Sequence, residues 1–181
     1  MIQIVPHAPE WQNWFAEEAS RLRVAFGELA LRIDHVGSTA LPALAAKPII
    51  DIQVSVASLT PRGWLVPYLT PLGYHHVDLG DFDLVYPYFR KPNSWPHSHH
   101  VHVCVAGSER ERRHLAFRDY LRMHPHVAAE YARLKVQLAR EHLGRDQAER
   151  ERYSLAKSEF VEAALARAYL EQLPLEQSSD G

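Results

Sequence analysis

Apolar and polar positions follow a helical period at the start of the chain and a strand period soon after it. In PEWQNWFAEEASRLRVAFGEL, aromatic and leucine side chains recur at spacings near three, four and seven. This period predicts an amphipathic helix that begins after Pro9. The next two segments, LRIDHVGS and KPIIDIQVSV, are rich in β-branched residues at alternating positions. They are therefore predicted to be strands.

The second of these strands has one apolar and one polar face. The polar face holds Asp51, Gln53 and Ser55, and the apolar face holds four β-branched residues: Ile50, Ile52, Val54 and Val56. Because side chains alternate across a strand, the apolar face is expected in the core and the polar face at a cleft or in solvent.

The rest of the chain changes from strands to helices. TPRGWLVPYLTPLGY predicts a short helix that is interrupted by prolines and ends at Gly73, and DLVYPYFRK and SHHVHVCVAG predict two more strands. The Pro-, Asn- and Ser-rich segment KPNSWPHS joins these two strands as a loop. After Gly107 the pattern predicts helices near 109–123, 126–142 and 147–170. The fold class is therefore predicted to be α+β.

Capping signals support two of the helix starts. Ser108 with Glu111, and Asp146 with Glu149, have the spacing of a capping box. The predicted organisation is an α/β core of residues 1–106, a helical part of residues 107–170 on the same domain, and a flexible tail of residues 171–181.

Composition excludes several classes without naming a partner. The 181 residues are 46% hydrophobic and 23% charged with a net charge of -2, which is typical of a soluble globular domain. No basic leader and no run of ~20 apolar residues are present, so a cytoplasmic location without membrane contact is expected. The single cysteine excludes an internal disulfide. The C-terminal third, residues 107–170, is mildly basic, but this is more typical of a solvated face than of nucleic-acid binding.

The turn before the Asp51 strand and the histidines near residue 100 carry the candidate chemistry. Gly37 lets the backbone approach a phosphate and Ser38 can donate a hydrogen bond to it, although the same residues also fit an ordinary strand-exit turn. On the strand HHVHVCV, His100 and His102 share a face, at the spacing of residues that can bind one metal ion or simply line a cleft.

Several segments together resemble the GrpB family, which is usually assigned to the nucleotidyltransferase, or polymerase-β-like, fold. They are HVGSTALPALAAKPIIDI, FRDYLRMHP, YARLK and YSLAK, and the resemblance covers about residues 3–170. It implies a small mixed sheet, and phosphate contacts from the turn residues Gly37, Ser38 and Thr39 together with Lys47. It also implies a strand order in which the histidine strand lies beside the Asp51 strand.

This resemblance implies a metal-dependent site with an altered ligand set. Asp51 fits the first carboxylate position of the fold, but Gln53 occupies the second. His100 or His102 would then replace the third carboxylate, which would favour Mn²⁺, Zn²⁺ or Ni²⁺ over Mg²⁺. The alternative for Asp51 is a structural carboxylate that binds a backbone amide or Lys47.

Basic residues of the helical half are candidates for the remaining ligand contacts. Arg118 and Arg122 are spaced i, i+4, and Lys135 and Lys157 lie on later predicted helices. Salt bridges, for example with Asp119, are an equally good interpretation.

The function implied is binding of a nucleoside triphosphate or related phosphorylated ligand, with transfer of a nucleotidyl group to a small acceptor. The alternative is a non-catalytic binding module with a degenerate site. Members of the family also occur fused to dephospho-CoA kinase, which suggests a link to coenzyme A metabolism. The acceptor, the preferred base and the oligomeric state do not follow from the sequence.

Overall fold

A computed structural model describes residues 1–172 of the chain. The N-terminal part contains two helices and five strands, namely α1 (Glu10–Phe26), β1 (Ala30–Val36), β2 (Ile50–Val56), α2 (Val66–Leu69), β3 (His75–Val77), β4 (Tyr88–Lys91) and β5 (His99–Val105). The C-terminal part contains four helices, namely α3 (Glu109–Met123), α4 (Pro125–Glu141), α5 (Gln147–Leu155) and α6 (Ser158–Gln172).

The five strands form one mixed sheet in the order β1-β2-β5-β4-β3. Only β2 and β5 pair in parallel, and the other three pairs are antiparallel. The parallel pair places Asp51 opposite His100 and Gln53 opposite His102. The predicted α+β class, the mixed sheet and the adjacency of the histidine strand to the Asp51 strand are therefore confirmed.

The apolar face of the sheet packs on α1 and α2. Trp11, Leu22 and Phe26 of α1 join a core that contains the apolar rows of β2 and β5: Ile50, Ile52, Val54, Val56, Val101 and Val103. Each such side chain stabilises the fold by roughly 1.5–3 kcal/mol when it is fully buried. Helices α3, α4 and α6 share a second core with Leu41 and Leu44, which lie between β1 and β2.

The polar face of β2 departs from the prediction. Gln53 and Ser55 are fully buried instead of facing a cleft or solvent. Helix α3 lies near this part of the sheet, and its His114 forms a hydrogen bond with Gln53. Only Asp51, nearest the start of the strand, lines a cavity.

The capping predictions are confirmed, but two element predictions need correction. The backbone N–H of Glu111 donates to Ser108 Oγ at 3.3 Å, and that of Glu149 donates to Asp146 Oδ1 at 2.8 Å. The strand predicted from DLVYPYFRK is shorter, because residues 80–84 form a 3-10 turn and only Tyr88–Lys91 pair.

The single helix predicted over 147–170 is two helices. The chain bends at Ala156 and Lys157, which separates α5 from α6. The bend allows α5 to line the cavity while α6 packs on α3, where Arg113 forms a salt bridge with Glu162. No Gly or Pro marks the bend, so the helical period runs through it.

Three further expectations concern the division of the chain into two parts, its C-terminal tail and membrane-spanning helices. The division into residues 1–106 and 107–170 stays a prediction. The predicted tail, residues 171–181, lies outside the described residues except for its first two, which end α6. Among the helices of residues 1–172, none combines the length and the apolar character that a membrane crossing requires.

Candidate functional site

A cavity of about 800 Å³ lies over the polar face of the sheet. Its walls come from the turn after β1, the start of β2 and β5, the segment between β3 and β4, and helices α3, α4 and α5. The predicted site residues that line it are Gly37, Ser38, Lys47, Asp51, His100, His102, Lys135 and Lys157.

Asp51, His100 and His102 form a compact group, the Asp51 cluster. Asp51 Oδ1 is 3.0 Å from His100 Nδ1 and 3.6 Å from His102 Nε2. One ligand atom from each residue lies within 4.8 Å of the other two. Burial by itself would raise the pKa of Asp51, but hydrogen bonds and charge from His100 and His102 hold that pKa well below its ordinary value. Asp51 is therefore ionised at neutral pH.

A third histidine fixes the ring of His100. His97 Nδ1 lies 3.0 Å from His100 Nε2, while His100 Nδ1 faces Asp51. Burial lowers the pKa of both imidazoles, that of His97 to about 4, so both are neutral at pH 7. His100 Nδ1–H then donates to Asp51, and His100 Nε2 accepts from His97. If His100 Nδ1 were to bind a cation, His100 would carry its proton on Nε2 and donate it to His97 Nδ1, with the proton of His97 then held on its own Nε2.

His102 is held by aromatic packing. Its ring is stacked against Tyr86 and against Tyr88, with centroid distances of 5.3 and 5.1 Å. Its Nδ1 atom is buried without a hydrogen-bond partner among the described residues. Ring packing therefore aims Nε2 at Asp51 without help from a second hydrogen bond.

Gln53 is committed to a hydrogen bond with α3. His114 Nδ1 lies 2.9 Å from Gln53 Oε1, and His114 Nε2 lies 2.8 Å from the Tyr86 hydroxyl. Burial, followed by the charge of His102, lowers the pKa of His114 to about 3, so the ring is neutral. His114 therefore donates to Gln53 and accepts from Tyr86. The amide oxygen at the second carboxylate position is thus already occupied.

The turn after β1 lies directly against Asp51. Gly37 has φ +70° and ψ -170°, a region that is almost restricted to glycine. A Cβ at this position would clash with the Asp51 carboxylate oxygen Oδ2, and would lie 2.8 Å from Asp51 Cβ and 2.9 Å from Cγ. Glycine is therefore required for the close approach of the turn to the cluster.

Thr39 lies in the interior and is absent from the cavity wall. Its Oγ1 donates to the carbonyl oxygen of Ile49 at 3.0 Å, and it lies 3.0 Å from His35 Nε2. Burial lowers the pKa of His35 to about 4, so this ring is neutral and can donate to Thr39. Thr39 thereby connects the two segments that flank the turn.

This arrangement predicts a stability effect for Thr39→Val. The substitution keeps the shape but leaves His35 and the Ile49 carbonyl without their partner, which should lower the free energy of unfolding by about 1–3 kcal/mol. Urea unfolding measures this loss, with the exposed Thr70→Val as the control. Anion affinity should be unchanged, and a loss of affinity without a loss of stability would restore Thr39 to the ligand contacts.

Three lysines, Lys47, Lys135 and Lys157, form a lysine cluster on the cavity wall. Within residues 1–172 none of them forms a salt bridge with a carboxylate. Lys135 Nζ donates to the carbonyl oxygen of Ala45 at 2.6 Å, and the ammonium groups of Lys47 and Lys157 lie 4.9 and 4.5 Å from the ring centroid of Tyr153.

The burial and mutual repulsion of the ammonium groups make the lysine cluster a site that favours anions. Burial, followed by the charges of neighbouring lysines, lowers the pKa of Lys135 and of Lys157 to about 7. Burial also lowers the pKa of Lys47, against the opposing effect of Asp51. A phosphate would supply the negative charge that these groups lack and would favour their protonated forms.

Arg118 and Arg122 are used elsewhere and do not line the cavity. Arg118 donates to the carbonyl oxygen of His35 at 3.2 Å, and Arg122 donates to that of Ala40 at 3.0 Å. Both also pair with Asp119. They attach α3 to the segment around the turn, so the candidate site excludes them.

The sequence interpretation missed several cavity residues. His97, Tyr86, His114, Arg150 and Tyr153 all line the cavity. His97 belongs to the same histidine-rich run as His100, which was an available signal. The other four lie on segments whose apolar or charged periodicity indicated only packing or solvent exposure.

Comparison with known proteins supports both the family and the fold. Residues 1–167 match the family described as GrpB protein. The UPF0157 protein YqkA of Bacillus subtilis is 39% identical over 142 residues, which are 78% of this chain and 40% of that protein. A protein of Mycolicibacterium paratuberculosis named dephospho-CoA kinase is 34% identical over 157 residues, which are 74% of this chain and 39% of that protein. The chain thus spans about two fifths of the length of each of these two relatives.

Two solved structures show the fold directly. The crystal structure of the conserved protein GrpB from Enterococcus faecalis matches with a TM-score of 0.76 and 35% identity, over 92% of this chain and 99% of that one. The Cid1 poly(U) polymerase bound to MgATP matches with a TM-score of 0.51 and 13% identity, over 77% of this chain and 45% of that one. The second match shows a shared nucleotidyltransferase-like fold alone.

Proposed function

The chain belongs to the GrpB family, and we propose that it binds a nucleoside triphosphate or related phosphorylated ligand together with a divalent metal ion. One observation carries this proposal: the Asp51 cluster and the lysine cluster line the same cavity. A carboxylate with two imidazoles is a ligand set for a cation. One buried and two half-buried lysines, which form no salt bridge within residues 1–172, form a site for an anion. Phosphates that chelate a metal ion satisfy both.

The donor atoms of the Asp51 cluster fit a divalent ion. Asp51 would supply an oxygen, and His100 Nδ1 and His102 Nε2 would supply two nitrogens. This mixed set favours Mn²⁺, Zn²⁺ or Ni²⁺ over Mg²⁺, which prefers oxygen ligands. When bound, the ion would neutralise phosphate charge. His97 holds the imidazole of His100 in place, and the rings of Tyr86 and Tyr88 hold that of His102.

The phosphates are assigned to the lysine cluster and the turn after β1. Lys47, Lys135 and Lys157 provide charge, and Gly37 allows close approach of the backbone. Ser38 lines the cavity beside Gly37 and can donate through its hydroxyl. These residues form the proposed ligand site together with Asp51.

Nucleotidyl transfer is the reaction that the fold suggests, and it needs a balanced exchange at phosphorus. The acceptor oxygen forms a bond to the α-phosphorus, the bond to the bridging oxygen breaks, pyrophosphate leaves, and the acceptor proton passes to solvent. The hydrogen bond of Gln53 with His114 favours the alternative, a non-catalytic binding module. Gln53 carries no charge and its amide oxygen is engaged by His114, so the site has one carboxylate.

Coenzyme A metabolism supplies a candidate class of ligand. One relative is named dephospho-CoA kinase, but this chain spans only 39% of its length. Dephospho-CoA and coenzyme A carry phosphates and an adenine ring, so they belong among the compounds to test beside the nucleoside triphosphates.

Titration calorimetry with ATP and MnCl₂ tests the proposed function. Wild type should bind ATP more tightly with Mn²⁺ than without it, and Lys157→Met should weaken ATP binding about tenfold or more, because a charge-assisted hydrogen bond is lost. Arg133→Met, at an exposed position of α4, should leave the affinity unchanged. The proposal would be contradicted if Lys157→Met and wild type bound ATP with equal affinity, or if Mn²⁺ left the ATP affinity of wild type unchanged. Release of pyrophosphate with an added acceptor would distinguish the transferase from the binding module.

A further inference from the structure

The cavity extends past the Asp51 cluster to an apolar rim, which we define as Leu79, Phe82 and Leu155. All three line the cavity, yet Leu79 and Phe82 are each 39% exposed and Leu155 is 69% exposed. Leu79 and Phe82 lie between β3 and β4, at the edge of the sheet, whereas Lys47 precedes β2. Since strands are spaced by roughly 4.8 Å, β2 and β4 lie about 10 Å apart across β5. Leu79 and Phe82 thus lie on the β4 side of β5, whereas Lys47 lies on its β2 side.

The segment that carries the rim is held in place by polar contacts. Asp83 is buried, and its Oδ2 lies 3.0 Å from His76 Nε2 and 3.3 Å from Arg62 Nη2. Asp78 Oδ1 accepts a hydrogen bond from Gly80 N at 2.9 Å. These contacts leave the apolar side chains exposed on a fixed backbone.

Phe82 has the surroundings of a stacking platform. The Arg110 guanidinium lies 4.5 Å from the ring centroid, and Tyr86 meets the ring at 72° with a centroid distance of 5.6 Å. Tyr86 in turn stacks on His102 of the Asp51 cluster. Phe82 is therefore connected to the Asp51 cluster through one intervening ring, that of Tyr86, and a planar group on the remaining exposed surface of Phe82 would lie in the same cavity as the cluster.

We propose that the apolar rim binds a planar aromatic group of the phosphorylated ligand whose phosphates lie at the lysine cluster. This inference rests on the proposed function and names the ligand's chemistry: an anionic phosphate at one end and an aromatic body at the other. A nucleobase is one such body.

Volume and charge support this orientation. Sites for small molecules commonly measure about 300–1,000 Å³, so a cavity of about 800 Å³ can hold a whole ligand of this kind. The Asp78 carboxylate beside the rim pairs with Arg62 at 3.5 Å, and the Arg110 guanidinium lies over the Phe82 ring. The charged groups near the rim therefore already have partners, whereas the lysine cluster forms no salt bridge within residues 1–172 and remains the better site for a phosphate. Burial of Leu79 and Phe82 against an aromatic ring removes apolar surface from water, which is favourable. A purely ionic ligand would leave this apolar surface exposed to solvent.

Two phosphate esters test the rim without metal or nucleotide. We expect wild type to bind 1-naphthyl phosphate about tenfold more tightly than glycerol 3-phosphate in titration calorimetry. Phe82→Ser should remove this difference without changing glycerol 3-phosphate binding, and Phe82→Leu should keep part of it. Val85→Ser is the matched control, because Val85 is 52% exposed on the same segment but does not line the cavity.

The outcomes separate this inference from the proposed function. Equal affinity for the two esters in wild type, or an unchanged preference in Phe82→Ser, overturns the aromatic subsite alone. In that case Lys157→Met still weakens both esters and the phosphate assignment stands. Binding of neither ester by wild type overturns the subsite and the phosphate assignment together.

Discussion

Asp51→Asn should lower the affinity of the chain for Mn²⁺ by at least about 100-fold. Loss of a residue that only supports a metal ligand commonly costs 10–100-fold, and Asp51 would be a ligand itself. The substitution keeps the side-chain shape beside Gly37 but removes the negative charge that raises the pKa of Lys47. Calorimetric titration with MnCl₂ at pH 7.5 measures the loss, and circular dichroism should show a folded protein.

Asp119→Asn is the matched control for this experiment. Asp119 is a carboxylate that pairs with Arg118 and Arg122 outside the cavity, so its loss should not change Mn²⁺ affinity. Wild-type affinity in Asp51→Asn would exclude Asp51 as a ligand. If Asp51→Asn instead unfolds, Asp51 has the structural role left open by the sequence.

Four of the five strands and the middle of the site could be predicted from the sequence because each depends on a short-range pattern, whereas the three-residue strand β3 is too short to show one. Alternation on β2 separates Asp51 from the core, and alternation on β5 places His100 and His102 on one face. The resemblance to a known family then supplied the one non-local fact, that these strands are neighbours. Parallel pairing in register brings Asp51 next to His100.

The parts that could not be predicted depend on tertiary contacts. Gln53 has the same alternation as Asp51, but α3 covers it and His114 uses its amide oxygen. Arg118 and Arg122 had the spacing of an anion site, yet carbonyl groups of the turn region engage them. Nothing in the local sequence distinguishes a guanidinium that binds a carbonyl from one that binds a ligand.

The lysine cluster and the Asp51 cluster differ in how they depend on the fold. The lysine cluster combines Lys47, from the loop before β2, with lysines on α4 and at the bend between α5 and α6. It therefore requires the helical half, whereas the Asp51 cluster belongs to two adjacent strands. Ligand binding should consequently couple the helical half to the sheet, since phosphates bound to a metal ion would contact both.

Gly37→Ala should be among the most destabilising single substitutions at the site, with a loss of about 2–6 kcal/mol in the free energy of unfolding. Two costs contribute. In this backbone region the conformational strain of a residue with a Cβ lowers the free energy of unfolding by about 1–3 kcal/mol. Overpacking against the neighbouring Asp51 adds about 1–3 kcal/mol, because the new Cβ would lie 2.8 Å from Asp51 Cβ.

Gly63→Ala separates these two costs. Gly63 also has a positive φ, +82°, but a Cβ there meets no atom of residues 1–172 within 4 Å, so we expect a loss of only about 1–2 kcal/mol. Urea unfolding of both variants gives the difference, which reports the contact with Asp51. Gly37→Ala should also weaken Mn²⁺ binding, since relief of the clash displaces the carboxylate, whereas Gly63→Ala should not. Equal losses of stability in the two variants, with Mn²⁺ binding intact in both, would mean that the turn does not position Asp51.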